Sequence, residues 1–239
     1  MIVLETERLI LREMTRDDLP STREIVCDEQ TMYAWNGAWS EEENLAGLEK
    51  QLRGYQEDGF GRWAVILKET NAFVGMCGLQ WCETDRDMVP EIGYLFNRGY
   101  WHKGYAAEAA IACKHYAFNV LGFDEVFSLI RDTNIPSMNV AIRNGMTIRR
   151  QFVKHYKGED MPHYVFSVRK SEDCANTGFA VEELSEAHRS LLSTLQKCEK
   201  VLDSDKLPQS QRTLTERRVA ALKIALKLIE KKRSYAPSQ

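Results

Sequence analysis

The sequence lacks the features that would place it in a membrane or in an oxidising compartment. No apolar run approaches the ~20 residues needed to span a bilayer. Glu5 interrupts the first apolar residues of "MIVLETERL", which argues against a signal peptide. The six cysteines include no Cys-x-x-Cys pair and the five histidines are scattered, which indicates reduced thiols and no structural zinc site. We therefore expect a cytoplasmic protein with no membrane partner and no metal.

The charge of the chain is also close to balanced. Lys and Arg number 32, Asp and Glu number 35, and the formal net charge is −3. Residues 171–239 hold 12 basic and 10 acidic side chains, whereas residues 1–170 hold 20 and 25. A hydrophobic share of 44% with 28% charged residues is typical of a soluble globular protein. So mild a charge argues against nucleic acid as a partner.

Residues 1–170 alternate strand-like and helix-like segments. Period-two alternation and flanking turn residues predict strands over 2–14, 60–68, 72–82, 89–96, 124–131 and 162–170. Capping and stop residues predict helices that begin at Thr15, run from Ser40 to Gly59, follow Gly104 to about Val120, and cover 134–145. The order predicts an α/β fold: a mixed, mostly antiparallel sheet flanked by helices, with a meander over 60–96 and one β-α-β crossover.

The segment after residue 170 has a different character. Residues 171–178 predict a linker, and no glycine follows Gly178. In 179–233, apolar residues recur at three- and four-residue steps on both sides of "DSDKLP", which predicts a helical hairpin with a heptad-like seam. Residues 234–239 predict a disordered tail. A homodimer through the hairpin is one way to cover its apolar stripes; packing on the domain or on a partner are the others.

A glycine-containing loop, "GYWHKGYAAEAA" (99–110), precedes the alanine-rich helix. It is not a Walker A loop, because Tyr-Ala rather than Lys-Ser/Thr follows Gly104, and it has no G-x-G-x-x-G spacing. Backbone N–H groups of 102–107 at a helix start would suit a phosphate. Gly104 allows a close approach of the backbone, and Ala106 and Ala107 leave room. For the loop alone, a simple helix cap is the alternative.

Three segments of residues 1–170 resemble the GNAT acetyltransferase superfamily, in particular its RimJ/RimL-like branch: "ETERLILREMTRDDL", "EIGYLFNRGYWHKGYAAEA" and "NIPSMNVAIRNGM". "WHKGYA" (101–106) is similar to the pyrophosphate signature Q/R-x-x-G-x-G/A, with Trp101 in the first position. "NIPS" (134–137) is similar to the family's Asn-x-x-Ser. The resemblance implies a GNAT-like N-acetyltransferase domain, acetyl-CoA as co-substrate, and a primary amine of a protein N-terminus or a small molecule as acceptor.

The resemblance also implies a set of residues that bind acetyl-CoA: Leu95, Phe96, His102, Lys103, Gly104, Tyr105, Ala106, Ala107 and Asn134. The side chains of His102 and Lys103 are equally consistent with a solvated loop, and Asn134 with a turn former. The segment "YAWNGAW" lies where the family places its acceptor-side loop, which implies Tyr33, Trp35 and Asn36 as substrate-binding residues.

Glu91 and Ser137 are the candidate catalytic residues. An amine is mostly protonated at pH 7 and must lose a proton before it attacks a thioester. Glu91 opens the strand before the loop and is the candidate base, unless it is only a solvated strand start. Many superfamily members place a tyrosine four residues after the serine, where this chain has Ala141. Ser137 is then the alternative partner of the CoA thiol, or an ordinary helix-start hydroxyl.

The missing tyrosine leaves a second function open. In this alternative, the chain is a non-catalytic adaptor that binds CoA and recruits a protein partner through its hairpin.

Overall fold

In the computed structural model, the alternating segment at the start of the chain folds as a hairpin of two strands, β1 (Ile2–Glu5) and β2 (Leu9–Arg12). The prediction of one continuous strand there is wrong. In the turn the Thr6 N–H donates to the Leu9 carbonyl at 2.9 Å, and Thr6 Oγ1 and Arg8 Nε donate to the Glu108 carboxylate at 2.6 Å and 2.7 Å. Contacts between residues so distant in sequence leave no trace in local periodicity.

The structure describes residues 1–175, 181–203 and 208–233, in two units, Met1–Lys170 and Ser171–Gln239. After β2, the strands of the first unit are β3 (Arg62–Leu67), β4 (Ala72–Glu83), β5 (Met88–Phe96), β6 (Glu125–Arg131), β7 (Thr147–Tyr156) and β8 (Glu159–Arg169). Its α-helices are α1 (Leu19–Val26), α2 (Glu41–Glu57), α3 (Tyr105–Asn119) and α4 (Ile135–Arg143), and its short 3₁₀ helices are Arg16–Asp18, Tyr33–Trp35 and Arg98–Tyr100.

All the strands belong to one eight-stranded sheet in the order β1-β2-β3-β4-β5-β6-β8-β7. Neighbours are antiparallel except for β5 and β6, which are parallel and are connected by α3. The mixed, mostly antiparallel sheet with one crossover and a β3-β4-β5 meander is therefore confirmed.

Strand β7 was not predicted from the sequence. It pairs with β8 through a turn at Lys157 and Gly158, whose φ angles are 49° and 79°, which suits a two-residue hairpin turn. Only Phe152 of this strand is buried. An edge strand with one buried side chain shows too little alternation to be recognised.

Two apolar clusters cover the two faces of the sheet. One contains Trp63 and Ile92 and packs against α3 through residues such as Ala109. The other includes Ile25 of α1 and Leu48 of α2. Helices on both faces stabilise the sheet by burial of apolar surface. The functional residues lie around the gap between β5 and β6.

Helix α2 has the N-terminus that its sequence predicts. Ser40 Oγ accepts from the Glu43 N–H at 3.1 Å, and Glu43 Oε2 accepts from the Ser40 N–H at 2.8 Å. This capping box satisfies two backbone donors at the helix start.

The chain after β8 continues as helix. A short helix, α5 (Lys170–Ala175), occupies most of the expected linker 171–178. Its first turn carries Glu172 and Asp173, which stabilise a helix start. Residues 176–178 and the expected tail 234–239 lie outside the described residues.

Helices α6 (Val181–Leu202) and α7 (Gln209–Arg233) form the predicted hairpin. Two ion pairs join them: His188 Nε2 lies 3.1 Å from Glu230 Oε1, and Lys223 Nζ lies 2.9 Å from Glu199 Oε1. Among the described residues, no helix combines the length and the apolar character needed to cross a membrane.

Candidate active site

Strands β5 and β6 separate after a single register pair, Glu91 with Phe127. At this point side chains replace the backbone ladder: Ser128 Oγ donates to the Ile92 carbonyl at 2.8 Å, and the Leu129 N–H donates to Glu91 Oε1 at 3.2 Å. The gap between the strands forms part of a cavity of about 820 Å³. A cavity of this size is in the range of small-molecule and cofactor sites.

One end of the cavity is the turn that leads into α3, and we call residues 102–107 the loop end. His102 and Gly104 have φ angles of 61° and 83°, a region that favours glycine. Trp101 Nε1 donates to the Phe96 carbonyl at 2.7 Å and fixes the start of the turn. The free N–H groups of the first helical turn and the helix dipole make this end suitable for an anion.

Arg8 and Glu108 brace the loop end from the β1-β2 hairpin. Arg8 Nη1 donates to the Lys103 carbonyl at 3.0 Å, and its guanidinium lies 4.5 Å from the centroid of the Tyr105 ring. Arg8 Nη2 lies 2.6 Å from Glu108 Oε2. Burial opposes ionisation of Glu108, but hydrogen bonds from Thr6 and Arg8 outweigh it and lower the pKa of this carboxyl.

Most of the predicted acetyl-CoA residues line this one cavity: Leu95, Phe96, His102, Gly104, Tyr105, Ala106, Ala107 and Asn134. Lys103 is not among the lining residues, and its Nζ lies 5.2 Å from the centroid of the Tyr100 ring. A Cβ built at Gly104 meets only Arg8 Nη2, at 3.5 Å. The loop therefore presents open backbone, as a phosphate-binding turn requires.

Ser137 and Asn134 are linked to two tyrosines. Asn134 Oδ1 accepts from the Ser137 N–H at 3.2 Å and from the Tyr33 hydroxyl at 2.9 Å. The Tyr94 hydroxyl donates to the Ser137 carbonyl at 2.8 Å, and Ser137 Oγ donates to the Tyr94 hydroxyl at 3.0 Å. Burial raises the pKa of Tyr94, so its hydroxyl remains protonated, with its one hydrogen directed to the Ser137 carbonyl.

Tyr94 is a functional candidate that the sequence reasoning missed. The position four residues after Ser137 is Ala141, which is buried at 1% exposure. A phenol nevertheless reaches Ser137, from β5 instead of from α4. Its one sequence signal is a tyrosine inside the strand that leads to the loop, which is too common to be informative.

Glu91 is buried, with a side chain 10% exposed. Gln80 Nε2 donates to Glu91 Oε2 at 2.8 Å, and Arg62 Nη2 lies 3.8 Å from the same oxygen. The solvated strand start considered from the sequence is therefore wrong. A fixed carboxylate that lines the cavity is a geometrically suitable proton acceptor.

The opposite end of the cavity is lined by Trp35, Trp39, Arg62 and Glu91, and we call these four residues the arginine end. Tyr33 also lines the cavity, whereas Asn36 is not among the lining residues. Trp35 and Trp39 lie in the segment "YAWNGAW" that the sequence placed on the acceptor side, whereas nothing in the sequence pointed to Arg62.

Cys82 and His163 also line the cavity. Burial raises the pKa of Cys82 to about 11, so its thiol stays protonated. Burial lowers the pKa of His163, and its Nδ1 lies 2.9 Å from the Met161 carbonyl. Within the described part of the chain, no group of three or more His, Cys, Asp or Glu side chains is placed to hold a metal ion.

Residues 8–147 match the family model of the acetyltransferase (GNAT) domain. This chain belongs to that family and is a GNAT N-acetyltransferase. It is 34% identical over 152 residues to the uncharacterized protein YkkB of Bacillus subtilis (strain 168), covering 62% of this chain and 88% of that one. A GNAT-family acetyltransferase structure from Bacillus anthracis is 25% identical with a TM-score of 0.62, covering 72% of this chain and 99% of that one.

The branch implied by the sequence is also represented among similar structures. RimL, a ribosomal L7/L12 alpha-N-protein acetyltransferase in complex with coenzyme A, has a TM-score of 0.57 at 17% identity, covering 71% of this chain and 98% of that one. At this identity the likeness concerns the fold.

Proposed function

We propose that this chain transfers the acetyl group of acetyl-CoA to a primary amine by direct attack of the amine on the thioester. The observation that carries the proposal is the position of Glu91: a buried carboxylate in the gap between β5 and β6, on the same cavity as the anion-binding turn of α3. A base at one end and a phosphate cradle at the other suit a donor that spans the cavity and an acceptor that enters beside it.

The loop end would hold the pyrophosphate of acetyl-CoA. The backbone N–H groups of 104–107 lie at the start of α3, where the helix dipole favours negative charge. The backbone of Leu95 and Phe96 borders the gap and would hold the pantetheine arm, with Asn134 on its other side. His102 would add a donor, while the Lys103 side chain lies over Tyr100 and contributes charge only at a distance.

Glu91 would receive the proton of the acceptor ammonium, directly or through water. The neutral nitrogen then forms a C–N bond with the acetyl carbonyl carbon as the C–S bond breaks, and the surplus proton on that nitrogen passes to solvent to leave the amide. The departing thiolate would receive a hydrogen bond from the Tyr94 hydroxyl, which would turn to it from the Ser137 carbonyl, and then a proton from solvent. Because the Tyr94 hydroxyl stays protonated, the chain offers a phenolic donor despite Ala141.

The acceptor would enter at the arginine end. Tyr33 and Trp35 line this part of the cavity, and Asn36 would act through the left-handed turn that ends the helix Tyr33–Trp35, where its φ is 61°. Both a protein N-terminus and a small amine fit this description. RimL acts on a ribosomal protein, which favours testing peptide N-termini first.

A thiol-release assay with acetyl-CoA tests the transfer across peptide N-termini, polyamines and aminoglycosides. We expect turnover with at least one class, and calorimetry should detect CoA binding independently. Binding of CoA without turnover on any acceptor would contradict the proposed function and favour the adaptor.

We also propose that the hairpin of α6 and α7 mediates a homodimer. Five of its apolar side chains are exposed by 39% to 62%: Leu192, Val201, Leu214, Ile224 and Leu228. Light scattering on the full chain and on residues 1–178 tests this proposal. A dimer that becomes a monomer on truncation supports it, and equal oligomeric states contradict it.

A further inference from the structure

Arg62, the first residue of β3, is a buried cation to which the transfer chemistry above gives no task. Its side chain is 8% exposed, and its Nη2 lies 3.8 Å from Glu91 Oε2, which is beyond hydrogen-bond range. Its Nε has no hydrogen-bond partner among the described residues. An unpaired buried donor is costly, so such a group calls for a ligand.

The position of Arg62 is fixed by its neighbours. The backbone N–H of Arg62 donates to Gln51 Oε1 at 2.8 Å, and its backbone carbonyl accepts from the Tyr55 hydroxyl. The guanidinium lies 5.7 Å from the centroid of the Trp35 ring. Gly93 leaves room for it, since a Cβ there would lie 2.6 Å from Nη2. A side chain held in this way loses little freedom on binding a ligand.

Trp39 supplies a second donor on the same cavity. Its ring packs edge-on against Trp35, with centroids 6.3 Å apart, and it lines the same cavity. Its Nε1 is buried and has no partner in the described part of the chain, whereas a buried indole N–H usually finds one. Arg131 Nε, on the same cavity, also has no partner among the described residues. Buried donors without acceptors on one cavity indicate a ligand that brings oxygen atoms.

The charges of the cavity point the same way. Among its described lining residues Glu91 is the single carboxylate, while Lys50, Arg62, Arg131, Arg143 and Lys154 are cations. Burial is the main cause that raises the pKa of Cys82, Glu91 adds to it, and Lys154 and Arg62 oppose it. Lys154 and Arg62 therefore act on the same region, close to the Glu91 carboxylate.

We propose that the acceptor amine also carries a carboxylate, which Arg62 and Trp39 bind while the amino group lies toward Glu91. The inference rests on the proposed function, because it names the substrate class of that site. A guanidinium and a carboxylate form strong charge-assisted hydrogen bonds. A diamine would instead bring a second positive charge among Lys50, Arg62 and Lys154, with one carboxylate to compensate it.

Three acceptors of equal chain length provide the test: 5-aminopentanoate, 5-aminopentanamide and 1,5-diaminopentane. We expect kcat/KM in the thiol-release assay to be about tenfold to a hundredfold higher for the acid than for the amide, and lowest for the diamine. The C-terminally amidated dipeptides Gly-Asp-NH2 and Gly-Asn-NH2, which differ only in the side-chain carboxylate, repeat the comparison for a peptide acceptor, so the two pairs distinguish a small-molecule source of the carboxylate from a peptide source.

Arg62→Gln should bring the ratio of acid to amide close to one, and Arg62→Lys should give an intermediate ratio. Arg16→Gln removes an exposed arginine, with a side chain 78% exposed, and should leave the ratio as in the wild type. Urea unfolding shows whether each variant is folded. If Arg62→Gln does not fold, the ratio of acid to amide measured with Arg62→Lys is compared with the wild-type ratio and decides alone.

Preference for the amide or the diamine, or a ratio that Arg62→Gln or Arg62→Lys leaves unchanged, would overturn the inference while leaving acetyl transfer in place. Thermal denaturation separates the opposite case. If no acceptor releases thiol, but 5-aminopentanoate raises the Tm of the wild type more than the amide does, and this difference disappears in Arg62→Gln, the carboxylate site stands and the transferase proposal fails.

Discussion

The two ends of the cavity are built in different ways. The loop end consists of consecutive residues, 102–107, and offers backbone N–H groups. The arginine end consists of side chains from separate segments: Trp35 and Trp39 precede α2, Arg62 opens β3 and Glu91 lies in β5. A backbone site leaves a local motif, whereas a side-chain site depends on sheet register. We expect the first to control donor affinity and the second to control turnover and acceptor choice.

Replacement of the base should have the largest effect. Glu91→Gln should lower kcat/KM by about 10²- to 10⁴-fold at neutral pH, with partial recovery at higher pH, where more of the acceptor is already unprotonated. The Kd of acetyl-CoA should change little. Glu57→Gln, an exposed position at the end of α2, is the control. Wild-type rates with a flat pH response would remove Glu91 from the mechanism.

Gly104→Val should chiefly weaken the binding of acetyl-CoA, whereas Glu91→Gln should chiefly lower turnover. A β-branched residue is strained at a φ of 83°, and its side chain would occupy the space of the phosphate. We expect the Kd of acetyl-CoA to rise about tenfold to a hundredfold.

Gly122→Val is a matched control for this variant, because Gly122 lies beyond the other end of α3 with a φ of 75° and nothing within 4 Å of a built Cβ. Both variants should lose stability, but only Gly104→Val should lose donor affinity. Equal calorimetric affinities in the two would contradict the role of the loop end.

Tyr94→Phe should have a smaller effect, about a tenfold decrease in kcat, because one hydrogen bond to the leaving group is lost. A double-mutant cycle with Ser137→Ala tests whether the two hydroxyls act as one unit. We expect the combined loss to be smaller than the sum of the single losses. Additive losses would separate Ser137 from Tyr94.

The smallest effect concerns the pH dependence of stability. Burial lowers the pKa of His163, so the folded state resists its protonation. The resulting stability is complete above the ordinary histidine pKa and is lost as pH falls through the lowered value. His163→Asn should therefore flatten the decrease in the free energy of unfolding between pH 7 and 5. His155→Asn, at an exposed position, should leave this decrease unchanged. Equal slopes of unfolding free energy against pH in the wild type and in His163→Asn would contradict the role given to His163.

Local rules explain what the sequence could predict. Ser40 and Glu43 cap α2 within four residues of each other, and Gly104 marks its turn by a positive φ that glycine adopts most readily. Tyr94 and Arg62 escaped because nothing local distinguishes them. Their importance comes from partners on other strands and helices, Ser137 for one and Trp35 with Gly93 for the other.

The brace between Arg8 and Glu108 has a practical consequence for how this protein is handled. Arg8 bonds to the Lys103 carbonyl and to Glu108, so the curvature of the loop end depends on a segment that contains none of its motif. A fragment trimmed to begin after Arg8, or a tag that disturbs the first hairpin, would keep every loop residue and still present a loosened turn. If a purified sample binds coenzyme A poorly, the first point to check is therefore whether its N-terminal β1-β2 hairpin is intact.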